Sequence, residues 1–360
     1  MKPEKLSVAL IGATGYVGQR FVTLLDQHPF FQLTVLVAGP RSQGKSYKEA
    51  CEGRWLLDLP MPKAVENMRV QSSEAISQWG EGVDLAFCAV DMAKEPLIAL
   101  EESIARQEIP LVSNNSANRW TVDVPIIIPE INPQHLAVLE SQKKRLGTKK
   151  GFIVAKPNCS VQSFLPALEP LRDLGLEAVM VSTYQAVSGA GRKLSVWPEM
   201  QANVIPYIKG EEEKTEQEPL KIWGQVDQGR IVASATPLIS SHCTRVAVQE
   251  GHLANVWIRL QKNCSSQDII SRWQEYKPLP QQLGLPSAPQ PFLQYLPEED
   301  RPQPRLDALR GQGMGISIGR LRPDSLYDYK FSCLSANTIR GAAGGAVLTA
   351  ELLYKQGYLN

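Results

Sequence analysis

The sequence is short of histidine, lacks organised cysteine and has no long apolar run. Only His28, His135, His242 and His252 occur in 360 residues, so few imidazoles are available for acid–base work near neutrality. The cysteines are Cys51, Cys88, Cys159, Cys243, Cys264 and Cys333. None forms a CxxC pair, and their scatter fits neither a disulfide framework nor a zinc site. That usage predicts a reducing, cytoplasmic setting, no metal, and one cysteine kept as a working thiol. No stretch approaches the ~20 apolar residues of a membrane span. The lead-in Met1-Lys2-Pro3-Glu4-Lys5 and the apolar run ending at Gly12 are too short for a signal peptide. Excess charge of one sign is missing too. Lys plus Arg number 38 against 37 Asp plus Glu, which leaves no electrostatic footprint for nucleic acid or an anionic membrane. With 43% hydrophobic and 21% charged residues, the chain is an ordinary globular one, not a disordered one. Its length predicts about two domains.

What is present is a rhythm. Leu6 to Ile11 reads as a buried strand, Gly15 to His28 as a helix with one apolar face, and Phe31 to Ala38 as a second strand. Val83 to Val90, a helix around Lys94 to Gln107, and a strand from Pro110 to Ser113 continue the pattern. Strand and helix in alternation predict a parallel sheet with crossover helices. After about Gly151 the texture changes. Phe152 to Ala155 is a strand, and Pro157-Asn158-Cys159-Ser160 a turn opening a helix over Val161 to Leu171. Leu253 to Leu260, Ile316 to Leu321 and Tyr329 to Leu334 alternate like antiparallel strands with one wet face. An α+β second domain follows. The span from Pro278 to Pro304 holds eight prolines and reads as a surface excursion of that domain. Lys143-Lys144-Arg145 with Lys149-Lys150 reads as a solvated loop, and Gly341 to Tyr354 as a small-residue stretch that turns helical.

Two segments carry chemistry. At the first strand–helix junction stands Gly12-Ala13-Thr14-Gly15-Tyr16-Val17-Gly18, a GxxGxxG variant of the dinucleotide fingerprint. Glycines there let the chain turn sharply and let a pyrophosphate approach the helix N-terminus. The alternative is a tight turn that merely packs helix on strand. The end of the second strand lacks the acid that would bind a ribose 2′-hydroxyl. Arg41, Ser42 and Lys45 stand there instead and suit a 2′-phosphate, which favours NADP over NAD. Cys159 is singled out by its place at a helix start, where the dipole favours thiolate and predicts a thiol pKa below the usual ~8.5. Gln185 ends a strand in a small-residue loop and could hold a carbonyl. Arg245 suits a carboxylate, or an ion pair with Glu250. On an extended strand Arg245, Ala247 and Gln249 would share a face, and Gly251 could turn His252 back toward them. His242 reads as structural.

With the blocks PNCS, YQAVSGAG, IPYIKGEEEK, RVAVQEGH and NTIRGAAGG in this order, the chain resembles the aspartate-β-semialdehyde dehydrogenase family, in particular its archaeal/fungal-like branch. The resemblance implies a Rossmann-type NADP-binding domain of residues 1–157 and 337–360. It also implies an α+β catalytic and dimerisation domain of residues 158–336 with a mixed or antiparallel sheet. By the same resemblance Cys159 is the nucleophile, His252 the acid/base and Gln185 the residue orienting the acyl-enzyme. Arg245 would bind the substrate α-carboxylate and Glu211 its amino group, although Glu211, Glu212 and Glu213 stand together. Arg119 and Lys214 would bind phosphate, and Asn158 the substrate. Gly12, Thr14, Gly15, Tyr16, Val17, Arg41, Ser42, Lys45, Ser188, Gly189 and Asn337 would bind NADP(H).

The implied reaction is reductive dephosphorylation of L-4-aspartyl phosphate in the route to lysine and diaminopimelate, threonine, methionine and isoleucine. The implied partners are this substrate and phosphate, with no nucleic acid and no membrane, in a homodimer or homotetramer. N-acetyl-γ-glutamyl-phosphate reductase, malonyl-CoA reductase and a non-catalytic NADP-binding regulator are the rival readings.

Overall fold

The computed structural model describes residues 5–359; the lead-in Met1–Glu4, read above for a signal peptide, lies outside them. Six strands form the first sheet: β1 (Leu6–Ile11), β2 (Phe31–Val37), β3 (Val70–Gln71), β4 (Leu85–Cys88), β5 (Leu111–Ser113) and β6 (Ile153–Ala155). Every pairing is parallel and the order is β3-β2-β1-β4-β5-β6. This is the doubly wound order, whose ligand crevice opens at the carboxyl ends of the strands where the winding reverses. Here that point lies between β1 and β4, so the chain after Ile11 meets the chain after Cys88. The strands β4, β5 and β6 are buried at every position because helices cover both faces of the sheet.

The remaining strands are β7 (Leu176–Gln185), β8 (Val204–Ile205), β9 (Gln225–Asp227), β10 (Arg230–Val232), β11 (Leu238–Val246), β12 (His252–Leu260), β13 (Leu293–Leu296), β14 (Ile316–Pro323) and β15 (Tyr329–Ser335). β9 and β10 form a hairpin, and the others a mixed sheet in the order β13-β14-β15-β12-β7-β11-β8. Its centre is antiparallel, while β11 runs parallel to β7 and β13 to β14. The helix Val161–Leu168 is buried at all eight positions and packs against β12, β14 and β15. It thereby joins the first sheet, which delivers it through β6, to the second. The last helix, Gly344–Lys355, returns to pack on the helix Tyr16–Leu25 and on β5. Leu348, Leu352 and Leu353 are fully buried there, and each such side chain contributes roughly 1.5–3 kcal/mol of burial.

Several expectations change. Lys143, Lys144 and Arg145 lie in a helix, Leu139–Leu146, not in a loop. Leu139, Gln142 and Leu146 face inward at helical spacing, and Gly147 (φ 73°) closes the helix in a left-handed cap. Arg145 is tied to Asp123 and Glu102, both at 2.6 Å. The helix from Val161 ends at Leu168 and continues as a 3₁₀ segment, Glu169–Leu174. β11 stops at Val246, so Ala247 and Gln249 do not extend the strand face of Arg245. The proline-rich excursion contains β13, an edge strand, where a ladder tolerates nearby prolines. It also reaches the first sheet's helices: Leu285 joins their core, and Ser287 donates from its amide and hydroxyl to the buried Glu351 of the last helix. Among the described residues, no helix is long and apolar enough to cross a membrane.

Candidate active site

The glycine loop sits at the switch point. Gly12 has φ 88°, and a β-carbon there would stand 2.2 Å from the Ala89 carbonyl oxygen; one on Gly18 would stand 2.1 Å from that of Gly12. Both glycines are therefore required by the close approach of backbone segments. Gly15 is exposed, and no side chain caps the helix that begins at Tyr16. Its first amides, around Tyr16 and Val17, are left to an anion. After β2, Arg41 and Lys45 are exposed while Ser42 is buried, its Oγ accepting from Arg54 Nη2 at 3.3 Å. Arg54 brings a further cation to this turn that the sequence reading missed. An uncapped helix start beside a basic turn without an acid fits a phosphorylated dinucleotide.

A cleft of about 300 Å³ runs from this loop into the second sheet, with Val17, Arg119, Lys156, Cys159, Glu211 and Asn337 among its lining residues. Cys159 stands in the turn between β6 and the helix Val161–Leu168. Asn158 locks that turn, because its Oδ1 accepts from the Ser160 amide (2.8 Å) and hydroxyl (2.6 Å). Cys159 Sγ lies 3.3 Å from His252 Nε2. His252 opens β12 directly after Gly251, whose φ of 98° makes the turn, so the expected return of His252 toward the site is observed. The Ala186 amide donates to His252 Nδ1 at 3.1 Å. Burial, followed by Arg245, pulls the ring down to about 3. It is therefore neutral at pH 7, and the hydrogen-bond pattern assigns its proton to Nε2, facing sulfur.

The thiol departs from expectation. Burial and the Glu211 carboxylate push Cys159 up to about 11, against the opposing pull of Lys156, Arg245 and Arg119. Its place at a helix start therefore does not leave the thiol below its usual value, because burial disfavours the thiolate.

Polar and charged groups gather around the sulfur. Gln185 ends β7, in register beside Arg245 on β11. Arg245 is buried and donates from Nη1 to the Ala186 carbonyl at 2.7 Å. Glu250 does not pair with it; that carboxylate accepts from the Thr338 amide and hydroxyl instead. Glu211 heads the helix Glu211–Ile222 and accepts from Asn158 Nδ2 at 3.0 Å on each oxygen, from Lys214 at 3.0 Å and from Gln185 at 3.3 Å. Glu212 turns away to the Cys243 amide, and Glu213 is exposed. Of the three glutamates, Glu211 is the one at the cleft. Asn337 donates to Ser188 Oγ and accepts from the Gly251 amide, both at 2.8 Å, and so ties the small-residue loop to the turn before His252.

Arg119 is less free than expected. Its Nη1 pairs with Glu218 at 2.8 Å, Nε with the Lys156 carbonyl at 2.9 Å and Nη2 with that of Asn114 at 3.3 Å. Glu218 and Lys156 were missed in the sequence. Glu211, Lys214 and Glu218 share one helix face, and that spacing was the available signal for the first. Burial pulls the Lys156 ammonium down to about 7, and its Nζ donates to the Pro157 and Gly341 carbonyls.

A dinucleotide loop facing a cysteine–histidine pair, with cations and a carboxylate around it, defines a nicotinamide-dependent dehydrogenase of the covalent-cysteine class. Residues 7–139 match the family model of the semialdehyde dehydrogenase NAD binding domain, and residues 168–340 that of the semialdehyde dehydrogenase dimerisation domain. The aspartate-semialdehyde dehydrogenase of Archaeoglobus fulgidus is 40% identical over 354 residues, covering 98% of this chain and 99% of that one. That of Saccharomyces cerevisiae is 38% identical over 362 residues, covering 97% and 98%. The crystal structure of the Candida albicans aspartate semialdehyde dehydrogenase with NADP superposes with a TM-score of 0.89 at 36% identity, covering 99% of this chain and all of that one. The chain belongs to the aspartate-semialdehyde dehydrogenase family.

Proposed function

We propose that the protein reduces L-4-aspartyl phosphate to L-aspartate 4-semialdehyde with NADPH, releasing phosphate. The observation that carries this reading is Cys159 at 3.3 Å from His252, in a cleft that also holds Glu211, Lys214 and Arg119. A substrate ammonium on Glu211 offsets the carboxylate that disfavours thiolate, so Cys159 loses its proton to solvent and attacks the acyl carbonyl; phosphate leaves toward Arg119 and Lys214, and a thioester remains. Arg245 holds the α-carboxylate, Glu211 the amino group, and Gln185 orients the acyl group. Bound NADPH supplies the hydride that takes the thioester to the aldehyde level. His252 donates its Nε2 proton to the developing oxyanion and recovers one as the carbon–sulfur bond breaks. Asn158 holds Glu211 in place, and Asn337 fixes the Ser188–Gly189 loop beside the cofactor. Gly12, Thr14, Gly15, Tyr16 and Val17 would carry the pyrophosphate, and Arg41, Ser42 and Lys45 the 2′-phosphate.

A carboxylate presented by Asn158 and Lys214 suits an aminated substrate, which favours aspartyl phosphate over malonyl-CoA. The cofactor domain comprises residues 1–157 and 337–360, a division supported by the packing of Gly344–Lys355 on the first sheet's elements, and the catalytic domain residues 158–336. The protein is a homo-oligomer through its dimerisation domain, a dimer or tetramer, and works in the cytoplasm. Phosphate-dependent reduction of NADP⁺ by L-aspartate 4-semialdehyde tests the reading. Cys159→Ala abolishes turnover while NADPH still binds; retained turnover would refute the thioester route.

A further inference from the structure

The carboxylate of Glu218 has no part in the reaction as described, yet it is fully buried between the two groups that the reaction needs most. Its Oε1 accepts from Arg119 Nη1 at 2.8 Å and its Oε2 from the Asn158 backbone amide at 2.6 Å. Asn158 is the residue before the nucleophile. One turn further along the same helix, Lys221 donates to the carbonyls of Arg119 (2.6 Å), Thr121 (2.8 Å) and Val124 (2.9 Å). Lys221 therefore fixes the main chain of the arginine loop, and Glu218 its guanidinium. At the start of the helix, Glu211 grips the Asn158 side chain. One rigid helix thus carries the substrate-facing groups and holds both the phosphate arginine and the cysteine turn.

We infer that Glu218 is a positioning residue that sets phosphate affinity through its charge and nucleophile placement through its reach. The inference rests on the phosphate role of Arg119 proposed above. Arg119 has five N–H groups. Three are engaged by Glu218, Lys156 and Asn114, leaving two for an anion in the cleft that Arg119 lines. The neighbouring carboxylate offsets the guanidinium charge, so phosphate is held in place without being trapped. Removing that charge while keeping the shape leaves Arg119 anchored through Lys156 and Asn114 but more attractive to a dianion. The Asn158 amide meanwhile faces an NH₂ group in place of an acceptor, or leaves Arg119 unpaired, and the cysteine turn shifts.

The experiment uses the full chain, with NADP⁺ and L-aspartate 4-semialdehyde saturating and inorganic phosphate varied. Glu218→Gln lowers the KM for phosphate by about threefold or more and lowers kcat by about tenfold or more, since small misplacements of a nucleophile cost that much. Glu218→Asp keeps the charge but is a methylene too short to hold both partners. It lowers kcat while the phosphate KM stays within about twofold. A carboxylate that served the fold alone would change melting temperature without splitting KM from kcat in this way. An unchanged or raised phosphate KM in Glu218→Gln, or an unchanged kcat in Glu218→Asp, overturns the inference. Should the glutamine variant fail to fold, the aspartate variant decides by itself. Wild-type protein without phosphate-dependent turnover would instead refute the proposed function, so the two failures are distinct.

Discussion

Gly189 lies so close to His252 that a β-carbon on it would stand 3.0 Å from the ring Cε1 and 3.1 Å from Nε2, and 2.8 Å from Arg245 Nη1. The imidazole and the guanidinium are both buried and both hydrogen-bonded to Ala186, so neither can swing away freely. Gly189→Ala should therefore displace His252 and Arg245 together. Steady-state kinetics should show kcat/KM for the semialdehyde reduced by about tenfold or more. Wild-type kinetics would show that the loop relaxes instead.

The thiol is governed by burial first and by Glu211 second, both raising its pKa. A negative charge disfavours thiolate, so removing it lowers the pKa. In Glu211→Gln, alkylation of Cys159 by iodoacetamide at pH 8 should run about threefold or more faster than in wild type. Its pH profile should move to lower pH, while the KM for the semialdehyde rises. A substrate ammonium on Glu211 would exert the same influence, which couples substrate recognition to nucleophile activation. A profile that stays put or moves upward would contradict this coupling.

Among the described residues, no carboxylate forms a salt bridge with Arg245, and Glu250 is occupied by Thr338. A buried guanidinium without an anion is costly to maintain and is suited to one brought by the substrate. Arg245→Lys keeps the charge but loses the bidentate geometry. The KM for the semialdehyde should rise on the order of tenfold to a hundredfold, with the KM for phosphate and the melting temperature little changed. A lower melting temperature with an unchanged substrate KM would make Arg245 a structural residue.

Arg41 and Lys45 are exposed in the turn after β2, with Arg54 reaching the same turn through Ser42. Arg41→Ala should weaken NADPH by about tenfold in a fluorescence titration, a loss typical of a charge-assisted phosphate contact, and leave NADH nearly unaffected. Equal losses for both cofactors would mean that Arg41 does not read the 2′-phosphate.

Much of the fold was legible because its signals are local. Apolar runs broken by glycine loops marked β1, β2 and the helix between them, and turn chemistry marked Pro157–Ser160 as the entry to a buried helix. Cys159 emerged from the same local context. Three things were not local. The basic run at Lys143–Arg145 has the composition of a loop, and its helix depends on Leu139 and Leu146 facing a core that other segments supply. The prolines near β13 obscured a strand whose pairing partner, β14, lies beyond them in the chain. The upward shift of the Cys159 thiol is not local either: a helix start can be read from sequence, whereas the burial and the Glu211 carboxylate that raise the thiol come from distant segments.

The sequence by itself determined the strand and helix order, the glycine loop, the missing acid after β2 and the place of Cys159 at a helix start, since each depends on neighbours within a few residues. Tertiary structure alone decided which groups meet. Cys159 and His252 are 93 positions apart, and Arg119 and Glu218 are 99 apart. Which of three adjacent glutamates faces the cleft depends on how the helix Glu211–Ile222 is set against the cysteine turn. Periodicity fixes the face a side chain occupies, but only the packing of one sheet and its helices on another fixes what that face touches.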